Sequence, residues 1–248
     1  MSDELAQMIG SARRIVAFTG AGISTECGIP DFRSPDSAWK RHAPIPFDQF
    51  MADEESRAES WRRKFAMDDL YAGAKPGRGH RALAHLYVQG KLTSIITQNI
   101  DGLHQASGIA DEHVIELHGN GTYATCLTCG VRHELARIRP SFEETRRAPQ
   151  CLCGGIVKSA TISFGQSMPQ EAMRRAQEET RKADLFLAIG SSLVVYPAAA
   201  FPAFAKECGA ELVIINGEPT PLDSHADLCV RGDIGEILTP FLTPFLGD

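Results

Sequence analysis

Six short apolar runs recur along the chain: "RIVAFTG", "LTSIITQN", "HVIELHG", "DLFLAIGSS", "ELVIINGE" and "ADLCVRG". Several lack the polar-apolar alternation of a half-solvated strand, so they read as strands covered on both faces, as in a parallel sheet. Helical patterns separate them. "GHRALAHLYVQGK" carries apolar residues at helical spacing, with Gly90 where a C-terminal cap belongs. "PQEAMRRAQEETRKA" opens with Pro169, and "YPAAAFPAFAKECG" closes on Gly209. Strand and helix in alternation predict an α/β fold with a doubly wound, Rossmann-like parallel sheet.

Two segments break the rhythm. Residues 34–78 begin with prolines and continue as polar helical sequence without a strand. Residues 120–158 hold four of the seven cysteines. Neither is long enough to enclose a core alone, so together they are expected to pack as a smaller helical and zinc-ribbon insert domain. The Rossmann-like domain then comprises residues 1–33, 79–119 and 159–248. A chain of 248 residues suffices for one large domain with such an insert.

The net charge of -6 argues against general binding to a nucleic-acid backbone, which needs clustered Lys and Arg. No stretch approaches the roughly 18 apolar residues of a membrane span. The opening "MSDELAQMIGSARRIVAFTG" has no basic region followed by a long apolar run, so no export signal is read there. An odd number of cysteines without such a signal predicts a reducing compartment, the cytoplasm by default. Oligomeric state is not readable from the sequence.

Cys126 and Cys129 form a CxxC pair, and Cys151 and Cys153 stand in "CLCGG", about 21 residues further on. Two tight pairs can bring four thiolates around one tetrahedral Zn²⁺, and Gly130, Gly154 and Gly155 suit the turns at such ligands. Free or buried cysteines are the alternative, common singly and rare as two tight pairs. Four sulfurs close the coordination shell, which predicts a structural ion. His118 and His133 are then not needed as ligands. Cys27, Cys208 and Cys229 are expected to be buried small apolar residues.

"IVAFTGAGISTECGIPDFRS" places Gly20 and Gly22 directly after the first strand, where a backbone can approach a pyrophosphate. Thr25 stands where a dehydrogenase fingerprint has its third glycine, and a turn that merely joins strand to helix explains this stretch equally well. Other strand ends shift the balance. Gln98, Asn99 and Asp101 follow one strand, and Gly190, Ser191 and Ser192 another. Asn216 and Glu218 follow a third, and His118 ends "VIEL". In a doubly wound sheet these groups lie in one layer beyond the carboxyl ends, where ligands bind.

Taken in order, "GAGIS…GIPDFR", "TQNIDGLH", "ELHG", the two cysteine pairs, "FGQ", "GSSLVVYPAA" and "INGE" resemble the motifs of sirtuins, the NAD-dependent protein lysine deacylases. The likeness runs from about residue 12 to residue 240. It implies NAD as co-substrate and Zn²⁺ as a structural ion. It also implies that Gly20, Ala21, Gly22, Asp31, Phe32 and Arg33 line the cofactor loop. Ser24, Gln98, Asn99, Ile100 and Asp101 would surround the nicotinamide and its ribose. Gly190, Ser191 and Ser192 would hold phosphates and ribose, with Asn216, Glu218 and Ile234 at the adenosine end. An acyl-lysine protein or peptide would add a strand between Phe164, Gly165 and Gln166 on one side and Val194, Val195 and Tyr196 on the other.

The same resemblance implies the chemistry. The acyl oxygen displaces nicotinamide at C1′ of the ribose, and His118 takes a proton from the ribose hydroxyls so that the 2′ oxygen attacks the resulting amidate. Asn99 is the other candidate catalytic residue. Products are nicotinamide, the freed lysine and 2′-O-acyl-ADP-ribose. An imidazole suits the task because its unperturbed pKa of about 6.5 leaves much of it neutral near pH 7. By position alone a structural histidine at a strand end is the favoured reading for His118, and the surrounding motifs reverse it.

The chain departs from the family pattern at "SPDSAW" after "DFR", at Gln166 in place of glutamate, and at "SATISFG" before it. It also lacks the Tyr-x-x-Arg pair of desuccinylating sirtuins. Phe65, Ala66 and Met67 offer an apolar wall, which favours a neutral acyl group, although the same residues could simply pack the small domain. Two other functions fit part of the pattern: a protein ADP-ribosyltransferase, and a non-catalytic nucleotide-sensing module.

Overall fold

The computed structural model describes residues 3–31 and 43–242. In chain order it begins with helix α1 (Asp3–Ser11), strand β1 (Ile15–Thr19) and a short 3-10 helix over Ala21–Cys27. Helices α2 (Phe47–Ala52), α3 (Glu54–Leu70) and α4 (Arg78–Val88) lead to strand β2 (Leu92–Thr97) and the single turn α5 (Leu103–Ala106). Strands β3 (Val114–Glu116), β4 (Gly119–Cys126) and β5 (Arg132–Glu134) precede α6 (Leu135–Thr145) and β6 (Val157–Thr161). The remainder is α7 (Gln170–Lys182), β7 (Leu185–Ile189), α8 (Phe201–Glu207), β8 (Glu211–Ile215), β9 (Leu228–Val230) and α9 (Ile234–Leu238).

Six strands form one sheet in the order β3-β2-β1-β7-β8-β9, every neighbouring pair parallel. The doubly wound reading is borne out, and its cause is visible residue by residue. Ile15 and Ala17 of β1 join one core with Leu5 and Ile9 of α1, Leu83 and Leu86 of α4, and Leu238 of α9. Val16 and Phe18 join another with Ala176 of α7 and Phe201 and Ala205 of α8. Successive side chains therefore meet helices on opposite faces, and β1 and β7 are buried at every position. Each fully buried side chain of this size contributes about 1.5–3 kcal/mol of apolar transfer.

A second sheet of three strands, in the order β5-β4-β6, is antiparallel. Its apolar face is shared with a distant part of the chain. Ala58, Trp61 and Phe65 of α3 pack with Ala124, Cys126, Ile138, Phe142, Cys151 and Val157 in one cluster. Phe65 sits with its ring centroid 5.5 Å from Trp61 and 5.6 Å from Phe142, so it fills this core. Arg139 of α6 forks onto both carboxylate oxygens of Asp69 at 2.7 and 2.8 Å, tying the same two segments at the surface.

The β1 loop continues as the 3-10 helix Ala21–Cys27, ended by Gly28 at φ 81°. One expectation needs correction. Cys208 and Cys229 are exposed and Cys27 is half-buried, because each lies at an element end or on an edge strand rather than in a core.

Candidate functional site

The sheet order reverses between β1 and β7, so the crevice of this fold opens where those two strands end. The hydrogen-bond ladder runs one residue past the strands there. Gly20 N–H donates to Ile189 O at 3.0 Å, Gln98 N–H to Thr19 O at 2.9 Å, and Leu117 N–H to Thr97 O at 2.9 Å. Gly190 N–H likewise donates to Ile215 O at 2.9 Å. Loops carrying the polar residues are thus held side by side by backbone bonds.

Gly20 and Gly22 meet the β7 end at close range. A Cβ on Gly20 would lie 2.7 Å from Gly190 O, and one on Gly22 would lie 2.7 Å from Gly190 Cα. Gly190 itself has φ +64°, and its own Cβ would lie 2.5 Å from Ile23 N. The glycines are needed by this loop-to-loop contact before any ligand is considered.

Behind them lies a compact polar constellation. Ser24 Oγ donates to Asp101 Oδ2 at 2.7 Å, and Asp101 Oδ1 accepts from Leu103 N–H, the first residue of α5, at 3.0 Å. Asn99 Nδ2 donates to Gly20 O at 3.1 Å and Ser24 Oγ at 3.3 Å, and Asn99 N–H reaches Thr97 Oγ1 at 3.0 Å. Gln98 Nε2 donates to Ser191 Oγ at 2.8 Å, joining the β2 and β7 loops. Gly121 N–H donates to Ile100 O at 2.7 Å. These are preset orientations rather than free rotamers.

His118 stands at the end of β3, its Nδ1 3.0 Å from Gln98 O. A carbonyl only accepts, so Nδ1 carries the proton and Nε2 keeps its lone pair. Burial lowers the imidazole's pKa from its ordinary 6.5, while the Gln98 carbonyl pulls the other way. The ring is a neutral base near pH 7.

The remaining expected site residues fall at the rim. Asn216 Nδ2 donates to Glu218 O at 2.7 Å beyond β8, and Ile234 is buried at the start of α9. Ala21, Asp31 and Ser192 are half-buried. Phe32 and Arg33, with the "SPDSAW" departure, lie outside the described residues. On the other side, Phe164 is 58% exposed, Tyr196 69%, and Val194 and Val195 are exposed as well. Gly165 is exposed beside them, and Gln166 turns back so that its Oε1 accepts from Ser163 N–H at 3.2 Å. Aromatic and branched side chains are thus left exposed on both segments.

The four cysteines come together. Their sulfurs all lie within 4.8 Å of one another, with Cys126–Cys153 at 3.5 Å and Cys129–Cys151 at 3.7 Å. A tetrahedral Zn²⁺ with Zn–S of about 2.3 Å requires sulfurs about 3.8 Å apart. The set fits that ion, and Gly155 leaves it room, since a Cβ there would lie 2.6 Å from Cys126 Sγ. No histidine joins the cluster among the described residues.

Sequence reasoning passed over a buried pair beneath the constellation. His80 and His104 are 0% and 1% exposed, with ring centroids 4.9 Å apart. His104 Nε2 lies 2.8 Å from Thr19 Oγ1, which donates to Thr97 Oγ1 at 2.8 Å and so reaches the group that receives Asn99 N–H. Burial lowers both pKa values, so both rings are neutral. The signal was present in "TQNIDGLH" and "GHRAL", where a histidine falls on an otherwise buried element.

The sequence profile of the Sir2 family matches residues 20–197, which spans the β1 loop, His118, the four cysteines and the exposed Phe164 and Tyr196. The chain belongs to the Sir2 family. This Sir2-family chain is 62% identical over 241 residues to a protein of Rhodopseudomonas palustris named NAD-dependent protein deacetylase, covering 97% of the chain and 95% of that relative. It is 61% identical to NAD-dependent protein deacetylase 1 of Bradyrhizobium diazoefficiens, covering 97% and 94%. A solved complex described as Sir2–p53 peptide–NAD+ superposes with a TM-score of 0.85 at 36% identity, covering 97% of this chain and 96% of that one. A Sir2 structure bound to a propionylated peptide gives a TM-score of 0.84 at 34% identity, covering 97% of each.

Proposed function

We propose that this Sir2-family enzyme removes acyl groups from protein lysines, consuming NAD, with His118 as the base and Ser24, Asn99 and Asp101 as the nicotinamide-side constellation. The carrying observation is the His118–Gln98 contact, which leaves Nε2 as a proton acceptor beside a prearranged polar cleft. NAD-dependent protein deacetylation is named for relatives at 61% and 62% identity over nearly the whole chain.

In this reading NAD lies across the carboxyl ends of the strands. Gly20, Ala21, Gly22 and Asp31 of the β1 loop, together with Phe32 and Arg33, border it. Gln98, Asn99, Ile100 and Asp101 meet the nicotinamide ribose, Gly190, Ser191 and Ser192 the phosphates, and Asn216, Glu218 and Ile234 the adenosine. The acyl-lysine segment pairs between Phe164, Gly165, Gln166 and Val194, Val195, Tyr196, whose exposed side chains suit an extended peptide. Its acyl oxygen attacks C1′ of the ribose and nicotinamide leaves. His118 Nε2 then accepts the ribose hydroxyl proton, freeing the 2′ oxygen to attack the amidate. The lysine amine departs, taking up the proton held by His118, and water adds to the cyclic acyl cation left between the 1′ and 2′ oxygens, opening it to 2′-O-acyl-ADP-ribose.

Zn²⁺ held by Cys126, Cys129, Cys151 and Cys153 supplies no step, since four sulfurs leave it no open position. Residues 34–78 and 120–158 serve as a small lobe against the NAD-binding lobe formed by 1–33, 79–119 and 159–248. Their shared apolar cluster supports that division. No helix among the described residues is long and apolar enough to cross a membrane. Thiols grouped for a metal rather than paired as disulfides support a cytoplasmic location.

The deciding experiment incubates purified protein with NAD and peptides bearing acetyl, propionyl or succinyl lysine, read by mass spectrometry. Acyl-ADP-ribose formed in step with free lysine supports the reading. Label transferred from NAD to protein would instead favour ADP-ribosyl transfer, and nucleotide binding without turnover a sensing module.

A further inference from the structure

The 3-10 helix of the β1 loop sends one carboxylate across to another element. Glu26 Oε1 accepts from Gly79 N–H at 2.9 Å, and Glu26 Oε2 accepts from Arg78 Nε at 2.9 Å. Helix α4 begins after Gly77, which has no side chain to cap it. A first-turn N–H that the helix itself leaves unpaired, that of buried Gly79, is therefore satisfied by the β1 loop, 53 residues away in sequence. Arg78 continues outward, its second terminal nitrogen donating to Asp233 Oδ1 at 2.9 Å. That same oxygen accepts from Glu236 N–H at 2.8 Å and caps α9.

The surroundings are shaped for this link. A Cβ on Gly77 would lie 2.4 Å from Glu26 Oε1, and one on Gly235 would lie 2.3 Å from Glu26 Oε2 and 2.7 Å from Arg78 Nε. Two glycines from two different helices thus leave the space that the carboxylate and guanidinium occupy. Beneath them, a Cβ on Gly79 would meet Ile23 at 2.9 Å and Ile234 at 3.5 Å, so the cofactor loop, α4 and α9 converge on one point.

We propose that Glu26, Arg78 and Asp233 form a clasp that couples the β1 loop, at the nicotinamide end, to Ile234, at the adenine end, making Glu26 and Arg78 positioning residues for NAD. The proposal rests on reading the cleft as an NAD site. Glu26 neighbours Ser24 on the same short helix, and Asp233 immediately precedes Ile234. Holding both at one spacing presents a cofactor with two preset ends, which lowers the ordering cost of binding. Arg78 and Asp233 are 38% and 49% exposed, and pairs of that exposure add little to global stability. A role in positioning is therefore separable from one in folding.

The test compares steady-state kinetics of the full-length zinc-loaded enzyme with Glu26→Gln, Arg78→Gln, the double variant, Asp233→Asn and Arg78→Lys, with an acetyl-lysine peptide. Asparagine keeps the α9 cap while removing its charge. The clasp predicts that KM for NAD rises about tenfold in both glutamine variants while kcat and peptide KM stay within about twofold. The double variant should match the singles rather than multiply them. Asp233→Asn should move KM for NAD in the same direction, and Arg78→Lys should recover part of the loss. NAD affinity measured by calorimetry should follow. Unchanged KM for NAD in the single variants, a multiplicative double variant, or an equal rise in peptide KM overturns the clasp while leaving the deacylase reading intact. A wild-type protein that neither binds nor consumes NAD removes that reading and the clasp with it.

Discussion

The Nδ1 atom of His118 lies 3.0 Å from the carbonyl oxygen of Gln98, so one contact settles the tautomer of the ring and joins it to the loop that carries Asn99 and Asp101. The proposed base and the proposed nicotinamide-side residues are therefore tied together by this contact. Replacing His118 by alanine should lower kcat by about 10²–10⁴-fold while leaving zinc content unchanged. Undiminished turnover would remove the base assignment.

Because burial lowers the His118 pKa below 6.5, its neutral form persists into mildly acidic solution. The acid limb of kcat/KM against pH should have its midpoint below 6.5. The sign follows from the base being active when deprotonated: a lower pKa extends activity downward in pH. A midpoint above 7 would show that the carbonyl contact outweighs burial.

The cysteine cluster predicts one Zn²⁺ per chain. Cys126→Ser should lose the metal, measured by atomic emission, and lower the melting temperature on the order of 10 °C. Chelation of the wild-type protein should reproduce the fall. A metal-free protein that melts at the wild-type temperature would contradict a structural ion.

Lys158 of β6 is 3% exposed, and burial pushes its pKa from 10.5 to about 8. Its ammonium donates to two neutral carbonyls, Thr161 O at 2.6 Å and Ser159 O at 3.4 Å. Below about pH 8 both folded and unfolded chains carry the proton, and the burial penalty is present in full. Between about 8 and 10.5 the unfolded chain holds more proton than the folded one, so this residue makes stability rise with pH by up to about 3 kcal/mol. Urea titrations across that range should show the rise in wild type and lose it in Lys158→Met. Parallel pH profiles would refute it.

Gly190→Ala tests the close packing of the β1 and β7 ends. Its φ of +64° and the 2.5 Å approach of the new Cβ to Ile23 N both oppose the change. Stability should fall by about 1–3 kcal/mol. A denaturant midpoint equal to that of wild type would mean that the two loops can separate freely.

The strands were legible because parallel strands buried on both faces have no polar alternation, and "IVAFT" and "LFLAI" have none. The strand-end residues were legible for a related reason, since Gln98, Asn99 and Ser191 are polar groups directly after apolar runs. Helix α6 escaped notice because Pro140 lies inside it and its apolar residues are few. The placement of Phe65 depended on Phe142, and the cap on α4 on Glu26; both partners are remote in sequence. Periodicity reports the local pattern and carries no record of such distant pairs. Cys208 and Cys229 were misjudged because a cysteine's average burial says nothing about whether its element ends at the surface.

Cys126 and Cys151 belong both to the four-sulfur cluster and to the buried apolar cluster that holds Trp61, Phe65 and Phe142. Ion and aromatic stack thus lean on the same two residues, and neither can be withdrawn without loosening the other. Loss of zinc should accordingly reach α3 as well as the cysteine turns, melting two sequence-distant stretches in a single cooperative step.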